Sequence, residues 1–127
     1  MNSAGARRPI ILIVEDDFFL RVHAAEMIQD AGFDIVEAGN ADEAIAILEA
    51  RPDIHVVFTD IQMPGSMDGL KLARFVRGRW PPIKIVVTSG NFAGWDGDLP
   101  EDGVFLPKPY TFDTVAATLR ELVGLVS

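Results

Sequence analysis

The sequence predicts an α/β domain with one doubly wound, five-stranded parallel sheet. Five short apolar runs rich in β-branched residues alternate along the chain with stretches of helical periodicity. This alternation is typical of strands joined by crossover helices that pack on both faces of a sheet. The 127 residues suffice for one domain of ordinary size and not comfortably for two. We therefore expect a single domain over residues 9–127, preceded by a flexible tail over residues 1–8.

The predicted strands are apolar almost throughout, as expected for strands covered on both faces. They are Ile10–Val14, Phe33–Glu37, Val56–Thr59, Ile83–Thr88 and Val104–Leu106. The second run is the most polar, because it contains Asp34 and Glu37, and we expect it to be an edge strand.

The first two gaps predict amphipathic helices. Asp17 is placed to cap the first helix, Gly32 is placed to end it, and its apolar stripe is Leu20, Ala24, Met27, Ile28 and Ala31. Asn40 is placed to cap the second helix, with Glu43 where a capping box requires it. The stripe of the second helix is Ala41, Ala44, Ile45 and Leu48.

Two further helices are predicted after the third and the fifth strands. The earlier one has a stripe of Leu70, Ala73 and Val76, and we expect it to stop at Gly78 and at Pro81–Pro82. The last helix has a stripe of Val115, Leu119, Leu122, Val123 and Val126.

The gap between the fourth and fifth strands is different. Asn91–Asp102 contains Gly94, Gly97 and Pro100, and these residue types cost about 1 kcal/mol (Gly) and 3 kcal/mol (Pro) in a helix interior. We expect a short or irregular fourth helix there. The segment is also acidic, through Asp96, Asp98, Glu101 and Asp102, which favours a protein partner with a basic or mixed surface.

Composition excludes several classes of function. There is no cysteine, which excludes a disulfide scaffold and a thiolate metal site and suits the cytoplasm. With 11 Lys and Arg against 19 Asp and Glu, the net charge of −8 disfavours DNA and other nucleic acids. No apolar run approaches the roughly 20 residues that span a membrane.

Chemically active side chains follow four of the predicted strands. Glu15 and Asp16 follow the first strand, Asp60 the third, Thr88 ends the fourth, and Lys108 follows the fifth. Because the carboxyl ends of parallel strands meet at one edge of a sheet, these side chains should lie together there. Such a carboxylate cluster requires a proton, a cation or a salt bridge, and a hard divalent ion that takes oxygen ligands, such as Mg²⁺, fits best. Carboxylates, a metal ion, a lysine and a hydroxyl are the parts that phosphoryl transfer requires.

The sequence resembles the receiver domain of bacterial two-component response regulators over about Pro9 to Val126. The motifs that carry the resemblance are ILIVEDD at 11–17, VFTDIQMPG at 57–65 followed by MDG at 67–69, VVTSG at 86–90, and FLPKPY at 105–110. The combination of TSG at 88–90, a short Gly- and Pro-containing fourth segment and KPY at 108–110 is similar to stand-alone receivers of alphaproteobacterial type. The resemblance implies the strand order 2-1-3-4-5 of the flavodoxin-like receiver fold, with no output domain.

The resemblance also implies a role for each site residue. Asp60 would be the aspartate that a histidine kinase phosphorylates. Asp16 and Glu15 would hold Mg²⁺ or Mn²⁺ together with Asp60 and the backbone carbonyl of Gln62. Thr88 would donate a hydrogen bond from its hydroxyl to the phosphoryl group. Lys108 would contact the phosphoryl group and precede a cis peptide bond. Phe105 would be the aromatic switch residue.

Two departures from the family pattern concern the site. The acidic pair is Glu15–Asp16 rather than the commoner pair of aspartates, and Ser66 is an extra residue in the loop beside Asp60. The glutamate leaves the metal geometry at residue 15 open, and Ser66 lengthens the loop beside Asp60. The irregular 91–102 segment leaves open whether the usual output mechanism applies.

Three functions remain open at this point. The first is a phosphorylation switch that receives its phosphoryl group from a histidine kinase or phosphotransfer protein and acts by protein–protein contact, as a monomer or weak homodimer. It would catalyse only its own phosphorylation and dephosphorylation, as an output regulator or as a phosphate sink. The alternatives are a small Mg²⁺-dependent phosphatase with an aspartyl nucleophile and a constitutive interaction module that is never phosphorylated.

Overall fold

The computed structural model describes residues 8–63, 67–90 and 99–124, which form five strands and four helices. In chain order they are β1 Ile10–Val14, α1 Phe18–Asp30, β2 Asp34–Ala38, α2 Ala41–Ala50, β3 Ile54–Asp60, α3 Gly69–Arg79, β4 Lys84–Ser89, β5 Val104–Pro107 and α4 Phe112–Leu122. The predicted irregular helix falls largely on residues 91–98. These residues and the extra Ser66 lie outside the described residues.

The five strands form one parallel sheet in the order β2-β1-β3-β4-β5, which confirms the predicted fold. β2 lies at an edge, as its polarity predicts, and it is the least buried strand. β1 and β3 pair with a register shift at Ile10, whose amide donates to His55 Nδ1 at 3.1 Å.

Side chains alternate between the two faces of the sheet and build two cores. Leu12 and Val14 of β1 point to the side covered by α2 and α3, where they pack with Leu48, Leu72 and Val76. Ile11 and Ile13 point to the side of α1 and α4, and the residues that pack with them include Ile28, Phe33, Val115 and Leu119. A strand covered on both faces must be apolar at every position, which is the pattern that the sequence shows.

Helix ends follow the predicted caps. Asp17 Oδ1 accepts from the Leu20 amide at 3.0 Å, and Asn40 Oδ1 accepts from the Glu43 amide at 2.8 Å. Gly32, just beyond α1, has a φ of 105°, a conformation that suits glycine. These contacts satisfy amides that a helix cannot satisfy itself.

Two predicted details are wrong. Leu20 is 46% exposed, because it lines an open surface hollow with Lys108 and Tyr110, and Ala25 is buried in its place. Gly78 does not end its helix, because α3 continues to Arg79, and the chain leaves the helix at Trp80. The residue before a proline avoids the helical conformation, so Pro81 rather than Gly78 sets this boundary.

Candidate functional site

The carboxyl edge of the sheet brings together side chains from three of its strands. Glu15 directly follows β1, Asp60 is the last residue of β3, and Lys108 directly follows β5. The register places Asp60 opposite Thr88 of β4, and Ser89 of β4 opposite Pro107. The parallel pairing therefore assembles at one place residues that are up to 93 positions apart in the chain.

Three carboxylates and one ammonium group form the centre of this edge. One carboxylate oxygen from each of Glu15, Asp16 and Asp60 lies within 4.8 Å of the other two. Glu15 and Asp60 are buried, whereas Asp16 is exposed. Lys108 Nζ lies 3.1 Å from Glu15 Oε1 and 3.4 Å from Asp60 Oδ1, so that one cation bridges the two buried carboxylates.

Burial dominates the electrostatics of the two buried acids. It raises the pKa of Asp60 above its ordinary value, against the opposing effect of Lys108. Burial, followed by repulsion from Asp60, raises the pKa of Glu15 in the same way. Burial alone would lower the pKa of Lys108, but attraction to Asp60 and Glu15 outweighs it and raises that pKa. The three carboxylates therefore carry more negative charge than the single ammonium compensates.

The donor set fits a hard divalent cation. Asp60 Oδ1 is buried and accepts no hydrogen bond from the residues that the structure describes. A buried polar oxygen without a hydrogen bond is costly even in an ion pair, and a bound ion would satisfy it. Three clustered carboxylate oxygens are the ligands that Mg²⁺ or Mn²⁺ prefers.

Main-chain contacts fix the position of Glu15. Its amide donates to the Ala38 carbonyl at 3.1 Å, its carbonyl accepts from Arg21 Nη1 at 2.9 Å, and its Oε2 accepts from the Asp17 amide at 3.2 Å. The turn after β1 is therefore tied both to β2 and to α1.

Asp60 and Lys108 are held by the ends of neighbouring strands. The Ile61 amide donates to the Thr88 carbonyl at 2.9 Å, and the Lys108 amide donates to the Ser89 carbonyl at 3.0 Å. The Lys108–Pro109 peptide bond is cis, as the resemblance implies. Hydrogen bonds to β4 thus fix the main chain from which the Asp60 and Lys108 side chains extend.

The remaining predicted residues lie around this centre. Thr88 is 1% exposed and stands beside Asp60 in the register, and Phe105 is half-buried against the core on the α2 and α3 side. The Gln62 amide hydrogen-bonds to the Asp60 carboxylate, and Gln62 Oε1 accepts from Ser89 Oγ at 3.3 Å. The roles of the Thr88 hydroxyl, the Gln62 carbonyl and the Phe105 ring remain predictions.

Sequence reasoning missed two residues at this edge. Arg21 was hidden as one of several charged residues on a helix, and Gly69 as part of a loop motif. A Cβ at Gly69 would lie 2.7 Å from the Asp60 carbonyl carbon, closer than real Cβ atoms come, so α3 begins directly against the main chain of Asp60. The glycine directly after Asp68, which the structure shows to cap α3, was the available signal for this close approach.

Comparison with known proteins identifies the family. Residues 11–95 match the family model of the response regulator receiver domain. The chain belongs to the receiver domain family. The matched range contains Glu15, Asp16, Asp60 and Thr88, whereas Lys108 lies beyond it and is placed in the site by the structure.

Similar receiver sequences occur in proteins of different length. The response regulator receiver protein CpdR of Brucella abortus is 34% identical over 117 residues, which cover 90% of each chain. The sensor kinase CckA of the same organism is 33% identical over 117 residues, and the DctD regulator of Rhizobium meliloti is 32% identical over 120 residues. The chain spans only 12% of CckA and 25% of DctD, so these resemblances concern a part of each relative.

Solved receiver structures share the fold. A response regulator receiver protein from Sinorhizobium medicae has a TM-score of 0.84 at 28% identity, with 93% of this chain and 96% of that chain covered. The receiver domain of the hybrid histidine kinase CckA has a TM-score of 0.76 at 30% identity, with 90% and 98% covered. Among the described residues, no helix combines the length and apolar character that crossing a bilayer requires.

Proposed function

We propose that this receiver domain is a phosphoacceptor switch in which Asp60 takes a phosphoryl group from a phosphohistidine. The observation that carries the proposal is the environment of Asp60 Oδ1, which is buried, accepts no hydrogen bond within the described part of the chain, and lies 3.4 Å from Lys108 Nζ and beside two further carboxylates. An oxygen that is held in place but is not occupied by a donor is available as a nucleophile.

In the transfer, an oxygen of Asp60 attacks the phosphorus of the donor. The new P–O bond forms as the P–N bond breaks, and the imidazole leaves with that electron pair and takes a proton from water. The product is an acyl phosphate on Asp60. Later attack of water on phosphorus returns the carboxylate and releases inorganic phosphate. The protein supplies positioning and charge for these steps.

Glu15, Asp16, Asp60 and the Gln62 carbonyl are the groups that would hold Mg²⁺ or Mn²⁺. When bound, the cation supplies positive charge that stabilises the phosphoryl oxygens. Lys108 supplies a second positive charge from the end of β5, with its Nζ 3.4 Å from Asp60 Oδ1. Both cations are needed because phosphorylation adds about −1.5 to −2 charge to a cluster that is already acidic.

Thr88 and Phe105 would carry the signal away from Asp60. Thr88 stands opposite Asp60 on β4, and Phe105 stands opposite Val87, one residue earlier on the same strand. A hydrogen bond from the Thr88 hydroxyl to the phosphoryl group would draw the threonine towards Asp60. The space that it leaves would admit the Phe105 ring, and the changed surface near β4 and β5 would bind the protein that receives the signal.

An apolar hollow beside the site is the place where we expect the donor protein to bind. The hollow has a volume of about 470 Å³ and is lined by Leu20, His23, Gly90, Lys108, Pro109 and Tyr110. Phe18 and Phe19, which are 59% and 79% exposed, precede Leu20 on α1. A histidine kinase or phosphotransfer protein that covers these apolar groups would bring its phosphohistidine next to Lys108 and Asp60.

Intact mass after incubation with acetyl phosphate and Mg²⁺ tests the proposal. The wild type should gain one phosphoryl group of about 80 Da, and Asp60→Asn should gain none. Asp53→Asn, which changes an exposed aspartate in an ion pair with Arg51, is the matched control and should be labelled like the wild type. A folded wild type that takes up no phosphoryl group contradicts the proposal, and steady turnover of phosphate esters without retained label favours the phosphatase.

A further inference from the structure

We propose that Arg21 is a positioning residue for cation binding at this site, acting on Glu15 through the main chain. The inference rests on the proposed function, since it concerns the cation that Glu15, Asp16 and Asp60 would hold. Arg21 itself is not a ligand, because its guanidinium is a donor at every nitrogen.

Arg21 lies in the first turn of α1, and its guanidinium holds two acceptors at once. Nη1 donates to the Glu15 carbonyl at 2.9 Å, and Nε donates to Glu37 Oε1 at 3.1 Å. The Arg21 side chain is 20% exposed, so solvent screens this interaction less than it screens a surface ion pair. The contact links the turn after β1 to the edge strand β2.

The geometry of that turn decides whether two of the three carboxylates can share a cation. Glu15 and Asp16 are adjacent, and a rotation of the peptide between them would move both side chains relative to Asp60. The Glu15 carbonyl belongs to that peptide, and Arg21 Nη1 donates to it. Loss of Arg21 would therefore release the peptide that joins the two residues.

Arg21 acts through position more than through charge. Burial, followed by repulsion from Asp60 and the hydrogen bond from Lys108, has the largest effects on the pKa of Glu15. A guanidinium presents several donors in one rigid plane, whereas a lysine ammonium is a point donor and does not reproduce this fork. The structure thus distinguishes the two roles, because Arg21→Lys keeps the charge and loses the planar double contact.

Groups that orient a metal ligand without touching the metal typically change metal affinity by about 10- to 100-fold when they are removed. Titration calorimetry with Mg²⁺ alone should therefore show an affinity for Arg21→Met that is about tenfold weaker than that of the wild type. Arg21→Lys should also be weaker. Glu37→Gln keeps an acceptor for Arg21 Nε, and its affinity should stay within about twofold of the wild type.

Arg51→Met is the matched control for loss of an arginine. Arg51 makes a two-point contact with Asp53, at 3.0 and 3.2 Å, and both residues lie after α2 at the opposite end of the sheet from Glu15. Its removal costs the chain a comparable ion pair and should leave Mg²⁺ affinity unchanged. The phosphorylation rate of Arg21→Met at saturating Mg²⁺ should also match the wild type, because the defect is in cation binding.

An Mg²⁺ affinity of Arg21→Met equal to the wild type, with a native circular dichroism spectrum, overturns the inference. If Arg21→Met does not fold, the same criterion applies to Arg21→Lys. Equal affinities of Arg21→Lys and the wild type, beside a weaker Arg21→Met, would assign the effect to charge and likewise overturn the positional role. A wild type that binds no Mg²⁺ and takes up no phosphoryl group contradicts the proposed function itself.

Discussion

Gly69 and Asp60 are in such close contact that no side chain fits between them. A Cβ at Gly69 would lie 2.7 Å from the Asp60 carbonyl carbon and 2.8 Å from Ile61 Cα, and the Gly69 amide donates to the Ile61 carbonyl at 2.9 Å. The nearest atom that it would meet is the Asp60 carbonyl oxygen, and all three atoms belong to the main chain, which cannot move aside as a flexible side chain can. The first turn of α3 and the end of β3 therefore fix each other.

Gly69→Ala should destabilise the protein by about 1–3 kcal/mol, as overpacking of a close contact does. It should also slow labelling of Asp60 by acetyl phosphate, since the backbone of Asp60 must shift. Gly78→Ala in the same helix is the control, because nothing lies within 4 Å of the added Cβ. That variant should be more stable than the wild type by about 0.5–1 kcal/mol. Urea unfolding measures both changes, and equal effects of the two substitutions would contradict the contact.

Asp60→Asn should raise the stability of the metal-free protein at neutral pH. Burial raises the pKa of Asp60 in the folded state. A group with a raised folded pKa contributes stability below its unfolded pKa, near 3.9 for aspartate, and that stability is lost as pH rises through the folded pKa. Asparagine does not ionise, so Asp60→Asn does not lose stability in this way as the pH rises. Thermal unfolding in metal-free buffer should show an advantage for Asp60→Asn at pH 7 that shrinks as the pH falls towards 4.

With Mg²⁺ bound, the wild type should be more stable than Asp60→Asn, the reverse of the order in metal-free buffer. A ligand that binds only the folded state stabilises it by about 2.7 kcal/mol at one hundred times its Kd. The wild type should gain this stability, and Asp60→Asn, which lacks one of the three clustered carboxylates, should gain less. An unfolding midpoint of the wild type that does not respond to Mg²⁺ contradicts the assignment of the cation site.

Lys108→Met should lower the stability of the metal-free protein and raise its affinity for Mg²⁺. The substitution leaves three carboxylates without their ammonium partner, at a cost on the order of 2 kcal/mol. This is below the roughly 3–5 kcal/mol of fully buried pairs, because the Lys108 side chain is 20% exposed. Mg²⁺ no longer competes with Lys108 and should bind more tightly, as calorimetry would measure. An unchanged Mg²⁺ affinity would show that the ammonium and the cation do not share these oxygens.

Phe19→Ser should slow phosphotransfer from a donor protein without changing phosphorylation by acetyl phosphate. Phe19 is 79% exposed, so its replacement should leave stability within about 0.5 kcal/mol of the wild type. Labelling by acetyl phosphate should be unchanged. A panel of histidine kinases would first identify the kinase that phosphorylates the wild type fastest. The rate of phosphotransfer from that kinase to Phe19→Ser should be at least several-fold lower than to the wild type. Phe75→Ser on α3 is the control for loss of a partly exposed aromatic residue, and transfer rates that respond equally to the two variants would contradict the proposed docking surface.

The sequence by itself determined the order of the elements and the residues at the ends of the strands. Apolar runs marked strands that must be covered on both faces, and the carboxyl-end rule for parallel sheets then predicted that Glu15, Asp60 and Lys108 would meet. That rule operates on chain order alone, so it needs no coordinates. The acidic residues of β2 also sufficed to place it at an edge.

Only the tertiary structure decided which residues of a helix are exposed at its end and which side chains meet across the edge of the sheet. Helical periodicity gives the angle of Leu20 around α1, but it does not show that Leu20 lines a surface hollow and stays exposed. The two acceptors of Arg21 lie 6 and 16 positions away in the chain, on different strand ends, and no local pattern encodes them. The bridge from Lys108 to both buried acids likewise exists because the register of β4 with β3 and β5 sets the distance across the edge, and register follows from packing of the whole sheet.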